Sequence, residues 1–468
     1  MTIEAVIAAN RFGLGARPGE LEAIGKDPRG WLGSQVKGSQ QVPDALKKLP
    51  SSAEAFGIYM QGQEEQRDKR EQPPSEAEAA KRVVTGIRDK LAPLYLDQVA
   101  ARYRVAMETE VPFRERLVHF WTNHFAVSAD KPQVIALAGT LENEAIRPHV
   151  AGRFVDMLLA VESHPAMILY LDNQASIGPH SKLATRAANR ARKADRKLDI
   201  NENLAREILE LHTLGVNGGY TQSDVTAFAR ALTGWSVGGN RGALSEGEPG
   251  KFEFREVAHE PGAQTILGKR YAEDDIAQTR AILNDLARHP ATATHVATKL
   301  VRHFVADDPP AEAIERVAQA FRDSNGDLPT VHRSLISLPQ VWTNTSPKFK
   351  TPHEFVVSTF RMFDFVPAEP RQVAAPFELL GQRPYSPGSP AGWPDTAARW
   401  DGPDALLKRI EWADAVGQRV GARYQPLDLG AQALGESLKE VTRTAIARAA
   451  SAAQGVTLLL ASPEFQRR

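Results

Sequence analysis

Residues 201–235, NENLAREILELHTLGVNGGYTQSDVTAFARALTGW, decide the fold class. From Asn201 to Leu214 the apolar positions Leu204, Ile208, Leu209 and Leu211 gather on one arc at 100° per residue, with Asn203, Arg206 and Glu210 opposite, which is the pattern of an amphipathic helix. Gly215 supplies the left-handed position that ends helices, and Asn217-Gly218-Gly219 turns the chain. Thr221 stands three residues before Asp224, a capping box with Asp in place of Glu or Gln, and a second helix runs from Gln222 to Thr233 and stops at Gly234. The segment predicts a helical hairpin. Such hairpins are common in bundles, so this one is no evidence of DNA binding.

The same period recurs on both sides. Helices are expected at Ile3–Phe12, Leu91–Glu108, Pro112–Val127, Ala138–Pro148 and Gly152–Leu171, the last broken at Pro165. After the hairpin they are expected at Ala272–Ala287, Ala291–Val305, Ala311–Asp323, Leu328–Ser337, His353–Phe363, Leu406–Gly417 and Leu438–Ala452. Beyond the Gly- and Ser-bearing loop at 238–250, Lys251–Glu256 alternates with Phe252 and Phe254 on one face, and across Pro261-Gly262 it can pair with Gln264–Leu267 as a small β-hairpin. Residues 53–91 are rich in charge and interrupted at Pro73-Pro74, reading as two exposed helices or a helix and a link. The basic run Lys182–Leu198 is either a surface loop or a place for an acidic partner. Gln382–Pro403 holds five prolines with Tyr385, Trp393 and Trp400, and so reads as an extended strap, packed on its own domain or edging a ligand groove. No repeat and no obvious linker divides the chain. The expected architecture is mainly α: an irregular multi-helix bundle, a single continuous domain over 1–468, with a β-hairpin insertion at 238–271 and the Pro/Trp-rich strap.

Composition excludes several functions. Lys+Arg and Asp+Glu are both 57 in 468 residues, which argues against bulk electrostatic capture of nucleic acid. The absence of cysteine removes disulfides, thiolate metal sites, iron–sulfur clusters and cysteine nucleophiles. No stretch approaches the roughly 20 apolar residues of a membrane span. Met1 to Gly13 lacks a basic segment followed by an apolar run, so the chain reads as cytoplasmic as written, or as extracytoplasmic with a signal removed before residue 1.

There is no phosphate-binding Gly loop, His-Glu-x-x-His pair, Gly-x-Ser-x-Gly elbow or EF-hand loop. Two histidines stand out instead. His212 falls inside the apolar arc of its helix, with Glu207 at the border. His124 falls inside the arc formed by Leu117, Val118, Phe120, Trp121 and Phe125, while His119 and Asn123 face away. Inward imidazoles need partners, which Glu207 or Glu144 could supply. Converging, His124 and His212 with Glu144 would make a zinc or iron site, or a His–Glu pair would serve as a general base. The structural alternatives are core histidines satisfied by carbonyls and a buried ion-pair network among Asn123, Glu142, Glu144, Arg147 and their neighbours. His164 and His259 read as local structure.

The runs Trp121-Thr-Asn-His-Phe125, Leu141-Glu-Asn-Glu-Ala-Ile-Arg-Pro148, Tyr170-Leu-Asp-Asn173 and Asn201-Glu-Asn-Leu-Ala-Arg-Glu207 resemble a bacterial family known as domain of unknown function 1800. Glu210-Leu-His-Thr-Leu-Gly-Val216, Ala231-Leu-Thr-Gly-Trp235, Lys299-Leu-Val-Arg-His-Phe304 and Gly392-Trp-Pro-Asp395 extend the resemblance over nearly the whole chain. The resemblance implies export and a protein partner from a neighbouring family, domain of unknown function 1501, although this chain starts at Met1 without a signal. It assigns no catalytic residue. Two readings stay open: a non-catalytic protein-binding or assembly factor that presents the helical body and strap, and a metal-assisted hydrolase or oxidase with a pocket around His124, Glu207 and His212.

Overall fold

The opening hairpin forms, with one local change. The first helix is α-helical only over Asn203–Glu207 and continues as a π-helical turn over Ile208–His212. Gly215 takes φ +84° and Gly234 φ +87°, conformations only glycine adopts without strain. The second helix, Gln222–Leu232, opens with the full Thr221–Asp224 capping box. Two further π turns, Ala8–Phe12 and Leu141–Ile146, likewise continue α-helices. These wide turns are rare, and the 3.6-residue period does not reveal them.

The computed structural model describes residues 2–38, 41–71, 87–190, 199–239, 247–343 and 348–468. The protein is mainly helical. Prolines that look like breakers act as first residues of helices, where the missing N–H costs nothing: Pro112–His124, Pro132–Thr140, Pro290–Phe304, Pro352–Met362 and Pro403–Val420 all begin this way. Pro165 separates Phe154–Glu162 from Pro165–Tyr170 in the same manner.

The β-pairing differs from expectation. Phe252–Phe254 does not meet Gln264–Ile266. It pairs antiparallel with Trp235–Val237, while Gln264–Ile266 pairs with Lys269–Tyr271. Leu267 and Gly268, both at positive φ, close the second ladder too tightly for a more distant strand to compete. The helix Ser52–Glu71 buries Ala55 and Phe56, so its opening turns belong to the core and are not exposed. The Pro73-Pro74 interruption, the loop segment 240–246 and the basic residues 191–198 lie outside the described residues. Before them, Lys182–Arg190 is a helix.

One hydrophobic cluster of buried side chains extends from Ala5 to Phe465. Among the described residues no helix is long and apolar enough to cross a membrane. The strap is non-helical up to a 3₁₀ turn at Ala397–Arg399, and Pro403 starts the next helix. Tyr385 joins the buried core, and hydrogen bonds tie the strap to the body and to itself. The Tyr95 hydroxyl donates to the Pro384 carbonyl at 2.6 Å, the Ala129 amide donates to the Tyr385 carbonyl at 2.7 Å, and the Trp400 indole donates to the Pro394 carbonyl at 2.9 Å.

Candidate functional site

A cavity of about 350 Å³ opens where the Pro112–His124 and Pro290–Phe304 helices meet the start of Pro352–Met362 and the strap. The Pro290–Phe304 helix turns Val296, Ala297, Leu300, Val301 and Phe304 into the core. Lys299, Arg302 and His303, spaced i, i+3 and i+4, line the cavity from another side of the same helix. The strap contributes the far wall and is clamped by Asn123. The Asn123 amide donates to the Trp393 carbonyl at 2.9 Å, and the Trp393 amide donates back to Asn123 Oδ1 at 2.7 Å. Gly392 must be glycine here: it sits at φ +79°, and a Cβ would lie 2.3 Å from the Asn123 carbonyl oxygen.

Three imidazoles on the wall have tautomers set by their partners. His303 Nδ1–H donates to Asp395 Oδ2 at 2.7 Å, His124 Nε2–H donates to the His212 carbonyl at 3.1 Å, and His353 Nε2–H donates to the Gln382 carbonyl at 2.8 Å. A carbonyl or carboxylate only accepts, so the opposite ring nitrogen is left with its lone pair. Neither His303 Nε2 nor His124 Nδ1 has a partner among the described residues. Burial holds all three rings neutral: it lowers His303 despite the opposing Asp395 charge, and it keeps His124 and His353 well below the usual histidine range. Burial alone would raise the Asp395 carboxyl, but His303, Lys348 and Arg468 outweigh it and hold it below its ordinary value.

The carboxylates of the wall are claimed more than once. Glu354 caps the Thr351 amide at 2.8 Å and pairs with Arg468 at 2.7 Å and with Arg116. Asp395 faces Lys348 at 3.6 Å and Arg468 at 3.8 Å besides His303. Lys299, in contrast, has no hydrogen bond and no ion pair with any described residue, and burial pushes its ammonium down to about 8. Arg302 makes one long hydrogen bond, from Nε to the Asp307 carbonyl at 3.3 Å, and reaches no carboxylate among the described residues.

Of the residues singled out by sequence, His124 and His212 come together inside the protein, 1% and 0% exposed, with ring centroids 6.3 Å apart. His124 lines the cavity and His212 stands behind it. The acid that meets His212 is Glu162, whose Oε1 accepts from Nδ1 at 2.8 Å, both groups being fully buried. Glu207 is half-buried, with its carboxyl raised by burial, and no hydrogen bond or ion pair joins it to either ring. Glu144 is occupied elsewhere, accepting from the Ser52 amide at 2.7 Å and facing His164 at 3.5 Å. His119 and Asn123, expected to face away, also line the cavity. Their side of the helix is polar because it borders a cavity.

Among the described residues one cluster has metal-ligand spacing: Glu115, His119 and Glu142, with donor atoms within 4.8 Å of one another. Both carboxylates carry guanidiniums. Arg147 grips Glu115 through two bonds of 2.6 and 2.8 Å, and Arg102 pairs with Glu142 at 3.1 Å. That geometry is a buried ion-pair network; a cation would have to displace an arginine to enter it.

Lys299, Arg302, His303 and Asp395 were not singled out as a site by the sequence. The i, i+3, i+4 triplet Lys299, Arg302 and His303 on an amphipathic helix was the available signal, together with the Asp that follows Trp393-Pro394. Residues 7–467 match the family model described as protein of unknown function (DUF1800). No curated protein and no solved structure matches the chain.

Proposed function

This chain belongs to the DUF1800 family, and on that premise we propose that it is an enzyme performing general acid–base chemistry on a small molecule held in the cavity, with His303 as the base. The reading rests on one observation, the 2.7 Å His303–Asp395 pair on the cavity wall with the Nε2 lone pair unclaimed. Nε2 is itself covered, so a water or a substrate hydroxyl reaches it when a neighbouring side chain moves aside, and a neutral imidazole oriented this way can then take the proton. Asp395 then stabilises the imidazolium that forms, and the same ring returns the proton to the leaving group. His124 offers a second bare nitrogen, at Nδ1.

The rival reading, a non-catalytic assembly factor with the strap as its docking surface, has less support because the strap is tied into the body at Pro384, Tyr385 and Trp393 by Tyr95, Ala129 and Asn123. A metal-assisted form of the chemistry would draw on His124 Nδ1 and His212 Nε2, both without partners among the described residues. It predicts stoichiometric zinc or iron in protein purified without a metal-affinity tag, lost on His212→Ala.

The acid–base reading is tested by incubating a small-molecule extract with the protein and following all components by mass spectrometry. Compounds consumed by the wild type should be consumed about 10²-fold or more slowly by His303→Ala, with Asp395→Asn also slowed. Equal consumption by wild type and His303→Ala, or no consumption by either, overturns the reading.

A further inference from the structure

We infer that the molecule seated in this cavity carries an oxyanion group, a carboxylate or phosphate, which is received by the Lys299 ammonium and the Arg302 guanidinium. The inference rests on the proposed active cavity but is carried by different atoms.

A cation set in a cavity wall and partly withdrawn from bulk water gains from a counter-charge in contact, and Lys299 is such a half-buried side chain. Arg102 and Arg116 of the lining have one, and of the lysines just outside it Lys348 does too, while Lys350, which does not line the cavity, donates only to Ser358 Oγ. Arg102 has Glu142, Arg116 has Glu354, and Lys348 has Asp307 and Asp395. Lys299 has none, although its side chain lines the cavity. The groups that face it supply no counter-charge in contact. On its own helix are His295, one turn back and held neutral by burial at about 4, and Arg302, a like charge. From the Pro112–His124 helix comes His124, also neutral. From the strap, Asp395 acts only through space and is already shared among His303, Lys348 and Arg468.

The lining therefore holds two cations without carboxylates and no carboxylate without cations. An incoming oxyanion would satisfy Lys299 and Arg302 together, since one helical turn places them on the same wall. The next residue, His303, would then stand beside the bound molecule as the base. At about 350 Å³ the space suits a small metabolite and not a polymer.

The test is calorimetric titration of the full chain with inorganic phosphate and, separately, with succinate, using the uncharged succinamide as control. Phosphate, succinate or both should bind, with affinity lowered about tenfold or more by Lys299→Met and also by Arg302→Met, and largely restored in Lys299→Arg. Binding should weaken as pH rises through about 8, where Lys299 loses its proton. The two arms separate a phosphate from a carboxylate ligand. No binding of either anion, or unchanged binding by a Lys299→Met protein whose melting curve matches the wild type, overturns the inference; should that variant fail to fold, Arg302→Met and the pH profile decide it in the same way.

His303→Ala separates this inference from the acid–base reading. Anion binding retained in that variant, alongside turnover that ignores His303, leaves the subsite standing and removes the base. Turnover dependent on His303 with no anion bound does the reverse.

Discussion

Lys350 shows how much a single buried charge can govern. Its ammonium donates to Ser358 Oγ at 3.0 Å and lies 4.1 Å over the Phe465 ring, with only 1% of the residue exposed. Burial first, opposed by Glu354 but reinforced by Arg116, Arg468 and Arg409, pushes it down to about 7. In the unfolded chain a lysine keeps its proton to about 10.4. Between those values the unfolded state holds one more proton than the folded state, so this group makes stability rise with pH from about 7 to about 10. The penalty is fully present below 7. The expected outcome is that Lys350→Met removes about one proton's worth of slope, at most about 1.4 kcal/mol per pH unit, from urea-denaturation stability measured across that range. At this same scale, the inward turn of His124 and His212 was legible, because a 3.6-residue period needs only local sequence. Their partners were not. Glu162 lies 50 residues from His212, at the end of a helix where an acid reads as solvent-facing, and only the packed fold brings it to Nδ1.

At the scale of elements, most long helices were readable from the apolar period and the Thr221–Asp224 box forms as expected. The Pro-started helices Pro28–Gln35, Pro370–Leu379 and Pro426–Leu434 were not, because a proline in sequence reads as a breaker and not as a first helical residue. What sequence periodicity missed has a common cause. The π turns at Leu141–Ile146 and Ile208–His212 widen the helix where Glu142 and His212 sit, so the faces computed for a regular helix drift there. Strand pairing failed for another reason: three-residue strands carry too little pattern to choose a partner, and the tight Leu267-Gly268 turn chose for them. The strap was recognised as extended, but its aromatic anchors explain only part of its placement. Asn123, one polar side chain on a distant helix, holds it by two hydrogen bonds. Asn123→Ala should cost about 2 kcal/mol in urea denaturation, at about 1 kcal/mol per bond. It should also speed protease cleavage within 386–396 more than elsewhere. Gly392→Ala should loosen the same segment, since it combines a positive φ with a collision against the Asn123 carbonyl.

Over the whole molecule, the earliest residues are tied to the latest. Asn10 donates to the Ala433 carbonyl at 3.2 Å, Arg116 to Gly13 at 2.6 Å, and Arg361 to Gly15 at 2.7 Å as well as to Ala106, Met107 and Thr109. With the core running unbroken from Ala5 to Phe465, helix content by circular dichroism and tryptophan fluorescence are expected to report the same single urea transition. Two separated transitions would instead divide the chain into independent domains. The ties have a further property. Arg11, Arg114, Arg116 and Arg361 each donate to peptide oxygens, which have no proton to gain, and Arg116 and Arg361 add ion pairs with Glu354 and Glu20. Guanidinium is likewise charged at every acidic pH. Acidification finds no group to protonate in these bonds to peptide oxygens, so the early segment they hold should stay moored at a pH where ties made through carboxylates have begun to fail.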